Sequence, residues 1–175
     1  MAQKVYVNVA DYKLKDKIGS KNYEVEDVTS VVLPTVSHPT IAVDSAGMAG
    51  AIDMPNQAKL EAMELTINHN NGTNCEKLVT PGLHKFDFRV ARHRYNVGKA
   101  DLGVEGVRYE VTAVHKSTEH GTVEGGNPLG SAERYSVTRF VRYVDEKEDT
   151  VADIMNGLIK LNGKDCVSAV KAILN

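Results

Sequence analysis

The stretch KLEAMELTINHN, Lys59 to Asn70, decides the fold class, because Met63, Leu65 and Ile67 alternate in it with Glu64, Thr66 and Asn68. Successive side chains of a strand point to opposite faces of the sheet. This period of two therefore predicts a β-strand with one packed face and one wet one. The same pattern runs outward in both directions. In LHKFDFRVARHRY, Leu83 to Tyr95, it sets Phe86, Phe88 and Val90 against Lys85, Asp87 and Arg89. In GVRYEVTAVHK, Gly106 to Lys116, it sets Val107, Tyr109, Val111 and Ala113 against Arg108, Glu110 and Thr112. RYSVTRFVRYV continues it from Arg134 to Val144. Nearer the N-terminus, Val5, Val7 and Val9 are expected on one face of a strand, and a single strand is expected from Tyr23 to Leu33, stopped by Pro34.

Between Lys116 and Arg134 lies a run rich in Gly, Asn and Pro, which predicts a long loop joining two antiparallel partners. Helix is scarce. One short helix is expected in TNCEKLVTPG, with Thr73 or Asn74 as its N-cap, and another in DCVSAVKAIL, capped by Asp165, with Val167, Val170 and Leu174 at helical spacing. In TVADIMNGLIKLNGK the apolar spacing suits a helix, whereas the Asn162-Gly163 turn suits a strand end, and strand is the reading taken. Six or more strands with one or two short flanking helices predict a mainly β fold, an antiparallel sandwich or barrel.

The chain has 175 residues, enough for one domain, and a single domain spanning 1–175 is expected. Its 21 Lys and Arg against 23 Asp and Glu are scattered along the chain, which argues against a dedicated nucleic-acid surface. Two cysteines, Cys75 and Cys166, are too few and too far apart for a disulfide scaffold, so synthesis in a reducing compartment is expected. Neither a signal peptide nor an apolar run long enough to span a membrane is found, and no membrane anchor is expected.

No catalytic constellation emerges. The six histidines, His38, His69, His84, His93, His115 and His120, fall in neither HxxxH nor HExxH spacing, and they are expected on surfaces or strand faces rather than on a metal. GxSxG, SxxK and Walker motifs are missing. EGGNPLG has strands on both sides, so it is read as a turn, and RVARHRY as a solvated or interface strand. No cofactor, metal or enzymatic activity is expected, and a binding or building unit is the better expectation.

One stretch fits neither a strand nor a polar loop. VDSAGMAGAIDMPNQ, Val43 to Gln57, is rich in Gly, Ala and Met and has two charges. With its surroundings, VTSVVLPTVSHPTIAVDSAGMAGAIDM followed by LEAMELTIN, it resembles the major tail tube proteins of contractile-tailed bacteriophages and of phage-tail-like bacteriocins. Leu33, Pro34, Ala46, Gly47, Met48 and Gly50 carry the match. YSVTRFVRYV, the charged turn DEKED and the Asn162, Gly163, Asp165 element follow in the family's order. The region from Asn70 to Glu133 agrees in pattern more than in residues.

The resemblance implies subunits that join strands into one barrel of six copies, a ring, with rings stacked as a hollow tube inside a sheath. It implies a virion tail or a phage-tail-like particle, assembled in the host bacterial cytoplasm. Its implied partners are further copies of itself, the sheath protein, a baseplate initiator, a tail terminator, and DNA that passes through the lumen without specific binding. Val43, Ala46, Gly47, Met48, Ala49, Gly50, Ile52 and Met54 are expected at the subunit or ring-stacking interface, where Met is adaptable and Gly and Ala permit close approach. Glu64, Thr66, Asn68, Glu110 and Thr112 are expected to face the lumen, and carboxylates and hydroxyls there would let DNA slide. Two rivals remain: a type VI secretion-like tube protein, and a monomeric β-sandwich binding module, for which aromatic residues are few.

Overall fold

A computed structural model of the chain describes residues 4–71 and 75–174. Four long strands carry it: β1 (Lys4–Ile18), β7 (Leu83–Asn96), β8 (Asp101–Glu119) and β9 (Ser131–Val144), which lie side by side in the order β1-β7-β8-β9. Short strands complete the sheet, all of it antiparallel. β2 (Lys21–Glu24) folds back on the end of β1. β6 (Met63–His69) pairs with the first half of β9, and β3 (Val28–Val32) pairs with β6. The second half of β9 pairs instead with β10 (Lys147–Asp153), which is followed in the sheet by β11 (Leu158–Leu161) and β12 (Lys164–Asp165).

The sheet curls on itself. Tyr12 Oη on β1 donates to the Val28 carbonyl on β3 at 3.0 Å, and the Val25 amide donates to the Leu14 carbonyl at 3.0 Å. The first bond ties β1 to β3, the two ends of the path β3-β6-β9-β8-β7-β1, and the second extends the pairing of β1 with β2; together they draw the sheet into a barrel that no ladder between β1 and β3 closes. The predicted alternation holds inside it: Met63, Leu65 and Ile67, then Phe86 and Phe88, then Val111 and Ala113 all face the core. A one-turn helix, α1 (Cys75–Leu78), covers one end, with Leu78 buried and its carbonyl bonded by Tyr135 Oη at 3.0 Å. The expected caps Thr73 and Asn74 lie outside the described residues.

Several expectations are corrected. The strand expected from Tyr23 to Leu33 is two strands, because Asp27 takes a left-handed backbone (φ 60°) that no ladder accommodates. Val5, Val7 and Val9 do not share a face, since bulges between Tyr6 and Asn8 and between Val9 and Asp11 shift the alternation: Val5 lies opposite Tyr95, whereas Val9 lies opposite Arg92. His69 on β6 and His84 on β7 stand on strand faces, in both cases the buried one. The position was legible in part, since His84 shares the parity of Phe86 and Phe88. The segment from Val151 is strand as read, and Asn162 and Gly163, both at positive φ, turn β11 into β12. α2 (Ser168–Leu174) is capped by Asp165, which accepts from the amides of Val167 (2.7 Å) and Ser168 (3.0 Å). Only Val167 of its expected apolar stripe is buried, and Val170 and Leu174 are exposed.

Candidate functional site

The stretch from Val43 to Gln57 belongs to a hairpin that stands apart from the main sheet. Its arms are β4 (Thr40–Val43) and β5 (Ile52–Pro55), paired only with each other. Ile41 lies opposite Met54 and Val43 opposite Ile52, so these four side chains share one face. All four are exposed in the chain. Among the expected interface residues, Val43, Ile52 and Met54 sit on the arms, whereas Ala46, Gly47, Met48, Ala49 and Gly50 form the tip. The tip is turned by a bond from the Met48 amide to the Ser45 carbonyl (3.0 Å) and by Gly47 at φ 95°.

At the other end the hairpin is fastened. The Asn56 amide donates to the Pro39 carbonyl (2.8 Å), the Glu61 amide to the Ser37 carbonyl (3.0 Å), and Ser37 Oγ to Glu61 Oε2 (2.7 Å). A lone two-stranded ribbon is marginal in water. This one is held at its base and offers an apolar face that none of the described residues covers.

A second such surface includes RVARHRY, the stretch read as a solvated or interface strand. Beyond the barrel, the first half of β1, the second half of β7 and the first half of β8 continue as a three-stranded blade. On the blade face opposite to the core side, Val5, Tyr95 and Leu102 form one cross-strand row, and Val104 stands in the next, beside His93. Leu102 is 63% exposed and Val104 62%. Among the described residues, the outer edges of the blade pair with nothing: β2 meets β1 only from Lys15 on, and β9 meets β8 only from Val107 on. Exposed apolar rows beside open edges mark an interaction surface. Its core-side face carries the exposed Val9 beside a polar cluster: Arg92 donates twice to Glu105 Oε2 (3.1 and 2.7 Å) and lies 3.9 Å over the Tyr6 ring. Burial pushes the Glu105 carboxyl up, but the bonds from Arg92 and Tyr6 and the charges of Arg92 and Lys4 outweigh it and hold it below its usual range.

The five residues expected at the lumen all project from the sheet face opposite to the core. Glu64 pairs with Lys116, Thr66 lies opposite Arg134, and Asn68 donates to Ser30 Oγ at 2.9 Å. Glu110 accepts from Arg108 (2.6 Å) and from Tyr143 Oη (3.1 Å). Burial and then the Glu110 charge push the Tyr143 phenol up, and the bond to Asp87 raises Arg108 further above neutrality. Thr112 stands between Lys85 and Arg139.

The charges are scattered along the chain, yet the fold collects a set of cations on this one face. Where β1, β7, β8 and β9 lie side by side, this face carries seven cations, Lys13, Lys15, Lys17, Lys85, Arg89, Arg108 and Arg139, against three carboxylates, Asp11, Asp87 and Glu110, while the ion pair of Arg134 and Glu119 stands further along β8 and β9. Cations scattered in sequence are gathered by strand register. Among the described residues, no three metal-ligating side chains converge.

A family model described as "Phage tail tube protein FII" matches residues 18–174. No curated protein sequence matches the chain. Among solved structures, a chain of the six-fold symmetrised cryo-EM structure of the anti-feeding prophage baseplate is similar, with a TM-score of 0.52 at 5% identity over 78% of this chain and 94% of that one. So is a chain of the cryo-EM structure of the anti-feeding prophage tube-terminating cap, with a TM-score of 0.50 at 16% identity over 80% of this chain and 93% of that one. At such identities the likeness concerns the fold alone.

Proposed function

Because the chain belongs to the phage tail tube protein FII family, we propose that copies of it close into six-membered rings that stack as the hollow inner tube of a contractile tail. Membership makes it a structural component of a phage tail or phage-tail-like particle, not an enzyme. In the proposed assembly, residues 1–175 act as one tube domain inside a sheath. A baseplate initiator starts the tube and a terminator ends it. The tube is the conduit for DNA ejection or for perforation of a target envelope.

The observation that carries this reading is the pair of uncovered apolar surfaces, the hairpin face of Ile41, Val43, Ile52 and Met54 and the blade row of Val5, Tyr95 and Leu102. Two different surfaces, each meeting something other than itself, give a heterologous contact. Such a contact closes into a ring when its rotation closes and runs into a filament along an axis when it does not. Val43, Ala46, Gly47, Met48, Ala49, Gly50, Ile52 and Met54 lie in the first contact. Glu64, Thr66, Asn68, Glu110 and Thr112 face the channel.

Negative-stain electron microscopy with light scattering tests the reading. Hollow rings or tubes with six-fold end views are expected at high protein concentration or on addition of preformed baseplate. A monodisperse monomer of 19.1 kDa under both conditions would overturn it.

A further inference from the structure

We propose that the charged face of the β1-β7-β8-β9 sheet is a phosphate-facing wall that binds duplex DNA weakly and without sequence preference. Three cross-strand rows build it. Lys17, Lys85, Thr112 and Arg139 lie side by side in the first, Lys15, Asp87, Glu110 and the buried Val141 in the second, and Lys13, Arg89, Arg108 and Tyr143 in the third. A depression of about 510 Å³ lies over the first two rows and the start of the third.

Like charges therefore meet directly across the ladder at Lys17 and Lys85, at Lys13 and Arg89, and at Arg89 and Arg108. Such pairs destabilise a sheet, so water alone gives no reason for placing them there. Part of the charge is answered locally. Arg108 bonds Asp87 (2.8 Å) and Glu110 (2.6 Å), Arg89 approaches Asp87 (3.6 Å), Lys13 reaches Glu24 (3.5 Å) and Arg139 reaches Asp153 (3.5 Å). Among the described residues, Lys15, Lys17 and Lys85 have no carboxylate within salt-bridge distance, and all three are exposed.

The chemistry of the face selects the partner. A protein surface docking here would need an exposed apolar centre to desolvate; the one apolar member of the rows, Val141, is fully buried, and the groups left at the surface are charged or hydroxyl-bearing. Single-stranded nucleic acid would need rings to stack on. The one aromatic side chain of these rows, Tyr143, has its hydroxyl on Glu110 and lies beneath Arg108. A duplex asks only for cations spaced along a groove and takes its affinity from released counterions. With Asp87 and Glu110 between the outer rows, the attraction stays weak, which suits a strand of DNA that must keep moving.

Placing this wall on the channel rests on the tube reading, in which Glu110 and Thr112 face the lumen; the binding itself does not. Anisotropy of a labelled 20-base-pair duplex, titrated with dispersed subunits at 25 to 200 mM NaCl, measures it. Three uncompensated lysines predict a slope of log affinity against log salt of about −2.7, so that affinity falls roughly 250-fold across that range. Lys17→Gln with Lys85→Gln should bring the slope to about −0.9. Lys99→Gln, in the exposed turn of the blade, should leave it unchanged.

Absence of duplex binding at 25 mM NaCl, or binding that ignores the double substitution, overturns the proposal. Sedimentation of assembled tubes then separates the two readings. Duplex left in the supernatant by closed tubes but bound by subunits supports both. Duplex carried down in proportion to tube length, and lost in the double variant, supports the phosphate wall while placing it outside the tube.

Discussion

His84→Leu should cost about 3 to 5 kcal/mol of folding stability, out of proportion to the volume lost, because it breaks a buried ion pair. His84 is 0% exposed and Asp16 1%. His84 Nδ1 donates to Asp16 Oδ2 at 2.7 Å, and Nε2 donates to the Thr80 carbonyl at 2.8 Å. The Thr80 carbonyl can only accept, so Nε2 carries hydrogen, and the Asp16 carboxyl on Nδ1 favours the imidazolium form of the ring. Burial pushes its pKa down, but the Asp16 bond, the Thr80 bond and the Asp16 charge outweigh it, and the value ends above the ordinary one. A bond to a charged partner contributes about 1.5 to 3 kcal/mol and one to a carbonyl about 0.5 to 1.5. The contacts of the ring with Phe86 (5.6 Å) and Tyr135 (5.4 Å) add a smaller share, part of which leucine keeps. Those contributions reach the same range as the general cost of orphaning a buried charge. Urea denaturation at pH 6 measures the loss. The double variant His84→Leu with Asp16→Leu should recover most of it, since no charge is left unpaired. A single-variant cost below about 1 kcal/mol, or a double variant as unstable as the sum of the two singles, would refute the buried pair.

The same pair sets a pH dependence. A raised folded pKa gives stability that is complete below the unfolded value near 6.5 and is lost as pH rises through the folded value, so the wild-type urea midpoint should fall on the alkaline side and His84→Leu should not follow it. His69 acts in the opposite sense: burial lowers its pKa more than Glu133, the Glu26 backbone and Asp27 raise it, so stability should fall as pH drops from 6.5 through its folded value, and His69→Leu should flatten that limb. Met48→Asp on the hairpin tip, or Leu102→Asp on the blade, should abolish tubes in electron micrographs while leaving the urea midpoint of the subunit unchanged, because both side chains are exposed and outside the core. Tubes that persist with both substitutions would remove these surfaces from the assembly. Lys85→Gln should raise the thermal midpoint at low ionic strength by relieving the repulsion from Lys17, and the gain should fade at high salt.

What could be read in the sequence was what depends on neighbours in the chain. Met63, Leu65 and Ile67, or Phe86 and Phe88, announce their face by alternation alone, and Asn162-Gly163 and Asp165 act through residues beside them. The β4–β5 hairpin was half legible. Ile41 and Val43 alternate, as do Ile52 and Met54, but the Gly- and Ala-rich tip between them masked two arms as one soft connection. The bulges in β1 were not legible, since an inserted residue is fixed by its partner strand, here β7. Nor was the basic face. Lys17, Lys85 and Arg139 become neighbours only through the register of four strands, and a count of charges along the chain averages such a row away.

The same register explains why one sheet face carries two different surfaces. Along β7 its outward side chains run Lys85, Asp87, Arg89, then Ala91 and His93, then Tyr95, and along β8 they run Thr112, Glu110, Arg108, then Gly106, Val104 and Leu102. Charge gives way to apolar surface at the level of Ala91 and Gly106, where the blade leaves the barrel. Apolar rows gain by being covered with protein, whereas burying uncompensated lysines under protein is costly. One flat neighbour lying over the whole face would therefore gain at Leu102 and lose at Lys85. In the proposed tube the cover has to arrive from the blade's turn and stop near Gly106, leaving the lower rows to water or phosphate. A hairpin suits that task better than a flat wall. The β4–β5 hairpin, with its exposed apolar face and the acidic Asp44 and Asp53, has the chemistry for that task.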